Sequence, residues 1–309
     1  MSASATDVAI IIAARNSWSD LETCIASIPR GVGEVIVVDN GSTDGTADNL
    51  RTLYPDIRVI TNASNLGHCR AINQGLRAIS RRFVLVLDAD TVLGPNALDR
   101  LVGLLRSRPG VVIVAPRMLN VDGSVQETAR AFPRPINGLF GRQTVLTRLF
   151  PDNRFSKRYL RRTQILATDP FEVDWVSAAC MLFRRSLIEA IGLWDEGFDG
   201  YWVDADWCKR AHRAGRVFCE PSARVLHVEH NRSGRRKDVG RIIQFHAGVS
   251  RFYRKHYTLG WLDPRGLATS ALLAARAALL IAGNALNRAD ASPVDAVSPC
   301  QPDHVELGQ

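Results

Sequence analysis

The amino-acid sequence predicts an α/β protein with a doubly wound, mostly parallel sheet. Three observations indicate this class: short β-branched apolar runs recur along the chain, helix-like stretches separate them, and Asp or Asn residues follow several of the runs. Alternating strand and helix patterns are typical of parallel sheets covered by helices on both faces. We therefore expect a ligand site at the carboxyl ends of the strands.

Each predicted element follows from its own pattern. Uninterrupted apolar runs predict parallel strands, buried on both faces, at 8–12, 34–39, 57–61, 83–88 and 111–115. Helix-like stretches separate them at 19–28, 46–53, 67–79 and 95–105. Further along we predict a strand over 173–184, helices over 185–191 and 204–214, and a strand over 224–228. Between 130 and 169 the periodicity lapses, which predicts a functional or mobile loop.

Composition and cysteine usage indicate a globular protein of the cytoplasm. Of the 309 residues, 46% are hydrophobic and 23% are charged, which is ordinary for a folded domain. The six cysteines are scattered without a C-x-x-C pair, which argues against a zinc ribbon and a secreted disulfide framework. The first residues contain no basic segment, so we expect no signal peptide.

The charge is positive and unevenly distributed. The formal net charge is +8, and nine Lys or Arg residues face a single acid, Asp152, between 130 and 162. A second basic run covers 232–237. Such one-sided segments fit contact with phosphate or an anionic surface as well as they fit ordinary solvated surface.

The C-terminal region contains a Leu/Ala-rich segment at 267–286, about the length of a membrane span. Arg276 lies in its middle, on the same helical face as the leucines, at a cost of roughly 2.5 to 3.5 kcal/mol for insertion. We therefore expect an interfacial helix whose arginine reaches the headgroups, or a helix packed on the protein. The tail after 289 is expected to be disordered.

Two motifs are typical of nucleotide contact. Asp39 ends an apolar strand and is followed by a Gly/Ser/Thr/Asp turn, so its carboxylate could accept from a nucleobase N–H, whereas Ser42 and Asp44 fit helix capping better. The segment 65–75 opens a predicted helix at a glycine and carries small and amide side chains, which lets a base or ribose approach the backbone.

A third motif predicts a metal site. Asp88 and Asp90 follow the fourth predicted strand and are separated by one residue, so both can share a hard cation such as Mg²⁺ or Mn²⁺ that bridges a diphosphate. His227 ends the strand at 224–228 and is a candidate third ligand, although a lone histidine is more often a core residue.

A fourth motif contains a candidate general base. Asp204 and Asp206 lie at the start of a predicted helix, where the helix dipole gives Asp206 a structural role. Asp204 precedes the first turn and is the better candidate for the base.

Seven ordered motifs resemble glycosyltransferase family 2, in particular its bacterial rhamnosyltransferase-like members, over about 8–257. They are the end of the first strand at Asn16, the Asp39 turn, the segment 65–75, Asp88-Ala89-Asp90, Val173-Asp174-Trp175-Val176-Ser177-Ala178, Trp194-Asp195-Glu196, and the run from Val203 to Arg210. This chain departs from the family at Ala14, Arg15, Ala178 and Val203, where the family has Thr, Tyr, Gly and an acid.

The resemblance implies a GT-A type fold and an inverting, metal-dependent hexosyl transfer from a nucleotide diphosphate sugar. It implies nucleotide contacts from Asn16, Asp39, Asn65, Gly67, Asn73 and Asp88. It implies metal binding by Asp90 with Asp88 and His227, base catalysis by Asp204, and acceptor contacts from Asp174, Trp175, Asp195 and Glu196. Rhamnose is the implied sugar, and a lipid-linked acceptor or polysaccharide of the cell envelope is the implied acceptor.

The same resemblance suggests how the chain is organised. We expect a nucleotide-sugar-binding half at 1–125, an acceptor-binding and catalytic half of the same domain at 126–262, the Leu/Ala-rich helix at 263–288 and the tail at 289–309. Together with the basic segments, the helix predicts a cytoplasmic enzyme held peripherally at the inner face of the membrane.

Other functions fit the sequence less well. It lacks the early phosphate loop of nucleotidylyltransferases and the G-x-G-x-x-G of dehydrogenases. Nucleic acid would suit the charge, but acids at the strand ends would repel phosphate unless a metal intervened. The alternative from a different class is a degenerate transferase that binds nucleotide sugars without turnover.

Overall fold

A computed structural model of the chain describes residues 5–133, 146, 149–160, 164, 166–228, 239–260 and 262–289. Its main feature is a nine-stranded sheet. The strands in this sheet are β1 Val8–Ala14, β2 Glu34–Asp39, β3 Arg58–Thr61, β4 Phe83–Asp88, β5 Thr91–Leu93, β6 Val111–Leu119, β8 Phe171–Val173, β10 Cys180–Arg184 and β11 Arg216–His227. A second, two-stranded sheet contains β7 Ala129–Arg130 and β9 Trp175–Val176.

The main sheet is mostly parallel, as the sequence predicts. Its order is β3-β2-β1-β4-β10-β6-β11-β5, with β8 also paired to β11. Strands β1 to β4 pair in parallel, and β11 is parallel to β6. The strands β10, β5 and β8 run antiparallel to their neighbours. Strands from both sides of position 125 therefore belong to the same sheet.

Helices cover both faces of this sheet. They are α1 Trp18–Ala26, α2 Thr46–Leu53, α3 His68–Ala78, α4 Ala97–Ser107, α5 Arg154–Tyr159, α6 Ser186–Ile191, α7 Val203–Ala211, α8 Val239–Tyr257 and α9 Pro264–Ala289. Alternate residues of β1 belong to different core clusters: Ile11 packs with Ile72 of α3, and Ile10 packs with Leu21 of α1. The doubly wound prediction is confirmed.

Three predicted strands differ from the observed ones. The 57–61 run forms an edge strand, β3, whose residues are exposed or only partly buried, because it pairs with β2 on one side only. The 173–184 strand is instead divided into β8, β9 and β10, because Val173 pairs with Val217 in the main sheet and Val176 pairs with Ala129 in the small one. The last strand begins at Arg216 rather than at 224.

The described residues of the segment from 130 to 169 pack against the rest of the protein. Within its described residues, α5 carries the buried Tyr159, whose carbonyl accepts a 2.9 Å hydrogen bond from the Ala131 N–H. Much of the basic stretch at 130–162 lies outside the described residues, as do the basic run at 232–237 and the tail after 289.

The C-terminal helix α9 packs along α8 through small side chains. The hydroxyl groups of Ser250 and Ser270 are 2.7 Å apart, and Ala277 is buried. Its other side exposes Leu272 and Leu279, which are 72% and 74% accessible. Arg276 is partly buried, and burial lowers the pKa of its guanidinium.

Candidate active site

The predicted nucleotide and metal residues meet at the carboxyl ends of three adjacent strands. The last residues of β1 pair on one side with Asp39 of β2 and on the other with Asp88 of β4. This register follows from the parallel pairing of three apolar strands. It brings both carboxylates to the same edge of the sheet, as the sequence predicts.

Asp39 and Asn16 form one wall of this edge. Asp39 is 1% exposed and accepts a 3.3 Å hydrogen bond from the Ser42 N–H. Asn16 has a left-handed backbone, with φ of 49°, and its side-chain oxygen accepts a 2.8 Å bond from the Thr43 N–H. The Asn16 N–H also donates to the Ser42 hydroxyl at 3.0 Å. Asn16 thus fixes the turn that follows Asp39.

Asn40 organises the second wall, although no role was predicted for it from the sequence. Its buried amide donates to Asn65 Oδ1 at 2.9 Å, and its Oδ1 accepts from the Leu66 N–H at 3.0 Å. Gly67 follows with φ of 89°, a conformation that favours glycine, and α3 begins at the next residue. Asn40 therefore fixes the shape of the turn that contains Asn65 and Gly67.

Asn73 is as deeply buried as Asp39. It is 1% exposed, accepts from the Trp194 N–H at 3.0 Å and donates to the Trp194 carbonyl at 2.9 Å. It also donates to Glu196 Oε1 at 2.9 Å. Its amide thus joins α3 to the turn at 194–196.

The three predicted metal ligands converge. One donor atom each from Asp88, Asp90 and His227 lies within 4.8 Å of the other two. His227 Nε2 is 3.4 Å from Asp90 Oδ1, because β11 pairs with β5 immediately after the Asp88-Ala89-Asp90 turn. Burial raises the pKa of Asp88, and the neighbouring charge of Asp90 adds to this, while His68 and His227 oppose it. Two carboxylates and an imidazole fit a divalent ion such as Mn²⁺ or Mg²⁺.

Asp204 has the properties of a general base. It is the second residue of α7 and lies within the first turn, not before it as the sequence predicts, because the helix begins one residue earlier, at Val203. Its Oδ1 accepts a 2.8 Å hydrogen bond from the Ala205 N–H. Burial raises the pKa of Asp204 to about 6, although the Ala205 N–H, the charge of Arg130 and the Ala178 N–H oppose the shift. A carboxylate with this pKa is largely ionised at neutral pH and remains basic enough to accept a proton.

The carboxylate of Asp206 contacts three basic side chains. It is fully buried, with Arg210 Nε 3.0 Å from Oδ2 and both Lys255 Nζ and His256 Nε2 2.8 Å from Oδ1. Burial alone would raise the pKa of Asp206, but these partners outweigh it and lower the pKa. This carboxylate joins α7 to α8.

Two of the four predicted acceptor residues hold the small sheet together. Asp174 Oδ2 accepts from the Phe132 N–H at 2.7 Å. Trp175 is buried, donates to the Ala131 carbonyl at 2.9 Å and lies 4.8 Å below the guanidinium of Arg130. Both residues therefore hold the strand that carries Arg130, whose charge acts on Asp204.

The other two predicted acceptor residues lie on the turn after Trp194. Asp195 contacts Arg251 at 2.8 Å and Lys255 at 2.6 Å. Burial would raise the pKa of Asp195, but Lys255, the Gly197 N–H and Arg251 together lower it to about 2. Glu196 is more exposed and lies 3.4 Å from Arg70. Both carboxylates are thus ionised and paired with cations.

Comparison with known proteins agrees with this geometry. Residues 9–192 match the family described as Glycosyl transferase family 2. The chain belongs to this family. The match covers both walls, Asp88, Asp90 and the small sheet, and glycosyl transfer is the activity that family membership supports.

Curated relatives of the chain are also glycosyltransferases. It is 29% identical over 292 residues to the N-acetylglucosaminyl-diphospho-decaprenol L-rhamnosyltransferase of Mycobacterium tuberculosis, covering 89% of this chain and 94% of the relative. It is 29% identical to the low-salt glycan biosynthesis hexosyltransferase Agl10 of Haloferax volcanii, covering 67% of this chain and 62% of the relative. The chain is therefore similar to rhamnosyltransferases of family 2.

Solved structures identify the fold as GT-A type. The chain superposes on the mannosyltransferase PcManGT from Pyrobaculum calidifontis, in complex with GDP-Man and Mn²⁺, with a TM-score of 0.56 and 20% identity over 92% of this chain and 79% of that one. It also superposes on GalNAc-T7 with UDP, GalNAc and Mn²⁺, with a TM-score of 0.56 and 15% identity over 80% of this chain and 47% of that one.

Proposed function

We propose that the chain is an inverting glycosyltransferase that moves rhamnose from a nucleotide diphosphate to a lipid-linked or polysaccharide acceptor in cell-envelope glycan synthesis. The observation that carries the proposal is that the main chain of two consecutive residues, Ala178 and Ala179, contacts both Asp204 and Asp88. The Ala179 carbonyl accepts from the Asp88 N–H at 2.9 Å, and the Ala178 N–H stabilises the Asp204 carboxylate. Asp88, a proposed metal ligand, and Asp204, the candidate base, therefore both bond to the same short backbone segment.

The donor side of the proposal uses the two walls at the strand ends. Asp39 accepts from the nucleobase, and Asn16 holds its turn in shape. Asn65 and Gly67 border the space for the ribose, while Asn73 supports them from beneath by fixing α3 to Trp194. The left-handed backbone at Gly67 supports this role, because it allows the main chain to approach a flat ligand closely.

Asp90, Asp88 and His227 hold Mg²⁺ or Mn²⁺ in this proposal, with Asp88 also within reach of the ribose. When bound, a divalent ion supplies positive charge that stabilises the diphosphate leaving group. The convergence of the three donor atoms supports the assignment. The protein's own task is to hold these three donor atoms close to one another.

Asp204 accepts the proton of the acceptor hydroxyl as that oxygen attacks the anomeric carbon from the face opposite the nucleotide. The raised pKa supports this role, since the group is a better base than an ordinary aspartate and is still ionised at neutral pH. Asp206 is less suited to it because its oxygens face Arg210, Lys255 and His256. In this proposal the acceptor lies near four residues: Asp174, Trp175, Asp195 and Glu196.

The sugar and acceptor are proposed from the relatives. The rhamnosyltransferase of Mycobacterium tuberculosis aligns with nearly the whole chain, and its name specifies rhamnose and a diphospho-decaprenol acceptor. A polyprenyl acceptor fits a cytoplasmic enzyme attached peripherally to the inner face of the membrane. The exposed leucines of the long apolar segment Pro264–Asn284 support this location, because an apolar helix face can lie in the membrane interface.

The deciding experiment combines binding and transfer. The purified chain is screened by thermal shift against nucleotide diphosphate sugars with Mn²⁺, because a donor that binds the folded state raises the melting temperature by mass action. The stabilising donors are then incubated with a synthetic polyprenyl-diphosphate N-acetylglucosamine. Transfer of rhamnose with inverted configuration supports the proposal. Donor binding without transfer or hydrolysis would instead favour the non-catalytic binding module.

A further inference from the structure

The side chain of Gln126 makes a pair of hydrogen bonds to a single residue 101 positions away, His227. Its Nε2 donates to the His227 carbonyl oxygen at 3.0 Å. Its Oε1 lies 3.0 Å from His227 Nδ1. Gln126 is only 5% exposed, and its own N–H donates to the Met118 carbonyl at 2.9 Å. The residue is therefore held rigidly beside the imidazole.

These two contacts determine the orientation of the amide. A carbonyl oxygen only accepts hydrogen bonds, so the NH₂ group of Gln126 must be the part that faces the His227 carbonyl. The opposite orientation would bring two acceptor oxygens within 3.0 Å of each other. The amide oxygen of Gln126 consequently faces Nδ1 of the ring.

The orientation of the amide in turn determines the tautomer of the imidazole. Because Oε1 of Gln126 can only accept, Nδ1 of His227 must carry the proton. A neutral ring with its proton on Nδ1 has its lone pair on Nε2, the atom that lies 3.4 Å from Asp90 Oδ1. That lone pair is what a metal ligand must offer, and a hydrogen bond to the other ring nitrogen increases its basicity.

We propose that Gln126 is a positioning residue that holds His227 in the Nδ1-protonated tautomer and directs Nε2 to the cation between Asp88 and Asp90. The inference rests on the proposed metal site, but the tautomer itself is a property of the protein without metal. Two measurements therefore separate the two ideas.

The first measurement is nitrogen NMR of the metal-free protein labelled with ¹⁵N-histidine, with the His227 signals assigned by their loss in His227→Gln. The wild type is expected to carry a proton on Nδ1 at pH 8. Gln126→Met, which is similar in size but has no amide, is expected to shift the ring toward the Nε2-protonated form. A His227 ring without a proton on Nδ1 in the wild type would overturn the proposal, whether or not the variant folds.

The second measurement is Mn²⁺ affinity, read by electron paramagnetic resonance of the free ion. Gln126→Met is expected to weaken binding roughly 10- to 100-fold, the usual effect of losing a residue that orients a metal ligand. The matched control is Gln244→Met, since Gln244 bonds to Asp199 at 2.7 Å and not to the metal cluster. Unchanged affinity in Gln126→Met would contradict the positioning role. If the wild type bound no Mn²⁺, the proposed metal site would fail, and the tautomer spectra would still decide the role of Gln126.

Discussion

The main-chain N–H of Asp88 donates a 2.9 Å hydrogen bond to the carbonyl oxygen of Ala179. This bond continues the antiparallel pairing of β4 with β10, which begins at Leu87 and Cys180. Because Ala178 precedes the bonded residue and its N–H stabilises Asp204, the turn that leads into β10 bonds to both Asp88 and the candidate base.

Replacement of Asp204 tests the base directly. Asp204→Asn keeps the oxygen that accepts from the Ala205 N–H but removes the proton acceptor. We expect donor affinity to persist and turnover to fall by roughly 10²- to 10⁴-fold. Steady-state transfer and donor titration measure the two quantities. Near-normal transfer by this variant would move the assignment to another carboxylate.

The pH dependence of the reaction should reflect the same group. Burial raises the pKa of Asp204 to about 6, and the base acts only when it is ionised. We therefore expect kcat/KM to fall by about tenfold per pH unit below 6 and to level off above it. The measurement is a pH profile with donor and Mn²⁺ at fixed free concentrations. A profile that stays flat down to pH 4.5 would exclude a base with a raised pKa.

Removal of a carboxylate from the metal cluster should abolish cation binding. Asp90→Asn leaves one carboxylate and His227 around the site, so we expect Mn²⁺ affinity to fall by at least roughly 10-fold and transfer to be lost. The control is Asp56→Asn, an exposed position far along the chain from the cluster. Isothermal titration with Mn²⁺ gives the affinity. Full transfer by a metal-stripped sample in EDTA would rule out the cation.

The ion cluster around Asp206 should contribute to stability. Asp206→Asn leaves Arg210, Lys255 and His256 facing a neutral amide in a buried environment, so we expect the free energy of unfolding to fall by about 3 kcal/mol. Because the pKa of Asp206 is lowered in the folded state, this stabilisation is present at neutral pH and is lost as pH falls through the folded pKa. Urea unfolding at pH 7 measures the loss. The control Asp48→Asn breaks an exposed ion pair with Arg51 and should lower the free energy of unfolding by under about 1 kcal/mol. Equal losses of unfolding free energy in both variants would contradict a stabilising buried cluster around Asp206.

Much of the site could be predicted because its residues follow apolar strands. Asp39 and Asp88 end β2 and β4, and parallel pairing brings such ends to the same edge of the sheet. The position of His227 near this edge could be predicted for the same reason, since it ends β11, and its role as a metal ligand stays a prediction. Local patterns of burial were enough to locate these residues without knowledge of any long-range contact.

Residues whose roles depend on distant partners could not be predicted. Gln126 contacts His227 across 101 positions and lies in a connecting segment with no periodic pattern around it. The run at 173–184 is mostly apolar, and although Asp174 and Ser177 interrupt it, its division between two sheets depends on the distant partners of Val173 and Val176. Asn73 belongs to a motif that predicts ligand contact, but its side-chain amide forms hydrogen bonds to the main chain of Trp194.

The exposed face of α9 should attach the protein to anionic membranes. Leu272 and Leu279 are 72% and 74% accessible, and burying both in the acyl boundary would contribute a few kcal/mol at roughly 25 cal/mol per Å². The net charge of +8 adds an attraction that salt screens. We expect the chain to pellet with phosphatidylglycerol vesicles at low salt and much less at 0.5 M salt. The double variant Leu272→Ser with Leu279→Ser should weaken binding at either salt concentration by roughly 10-fold or more.

Leu53→Ser is the control, because Leu53 is 57% accessible but belongs to α2. Equal pelleting of the double variant and the wild type would exclude α9 as the attachment surface, and failure of the wild type to pellet at low salt would exclude peripheral attachment altogether.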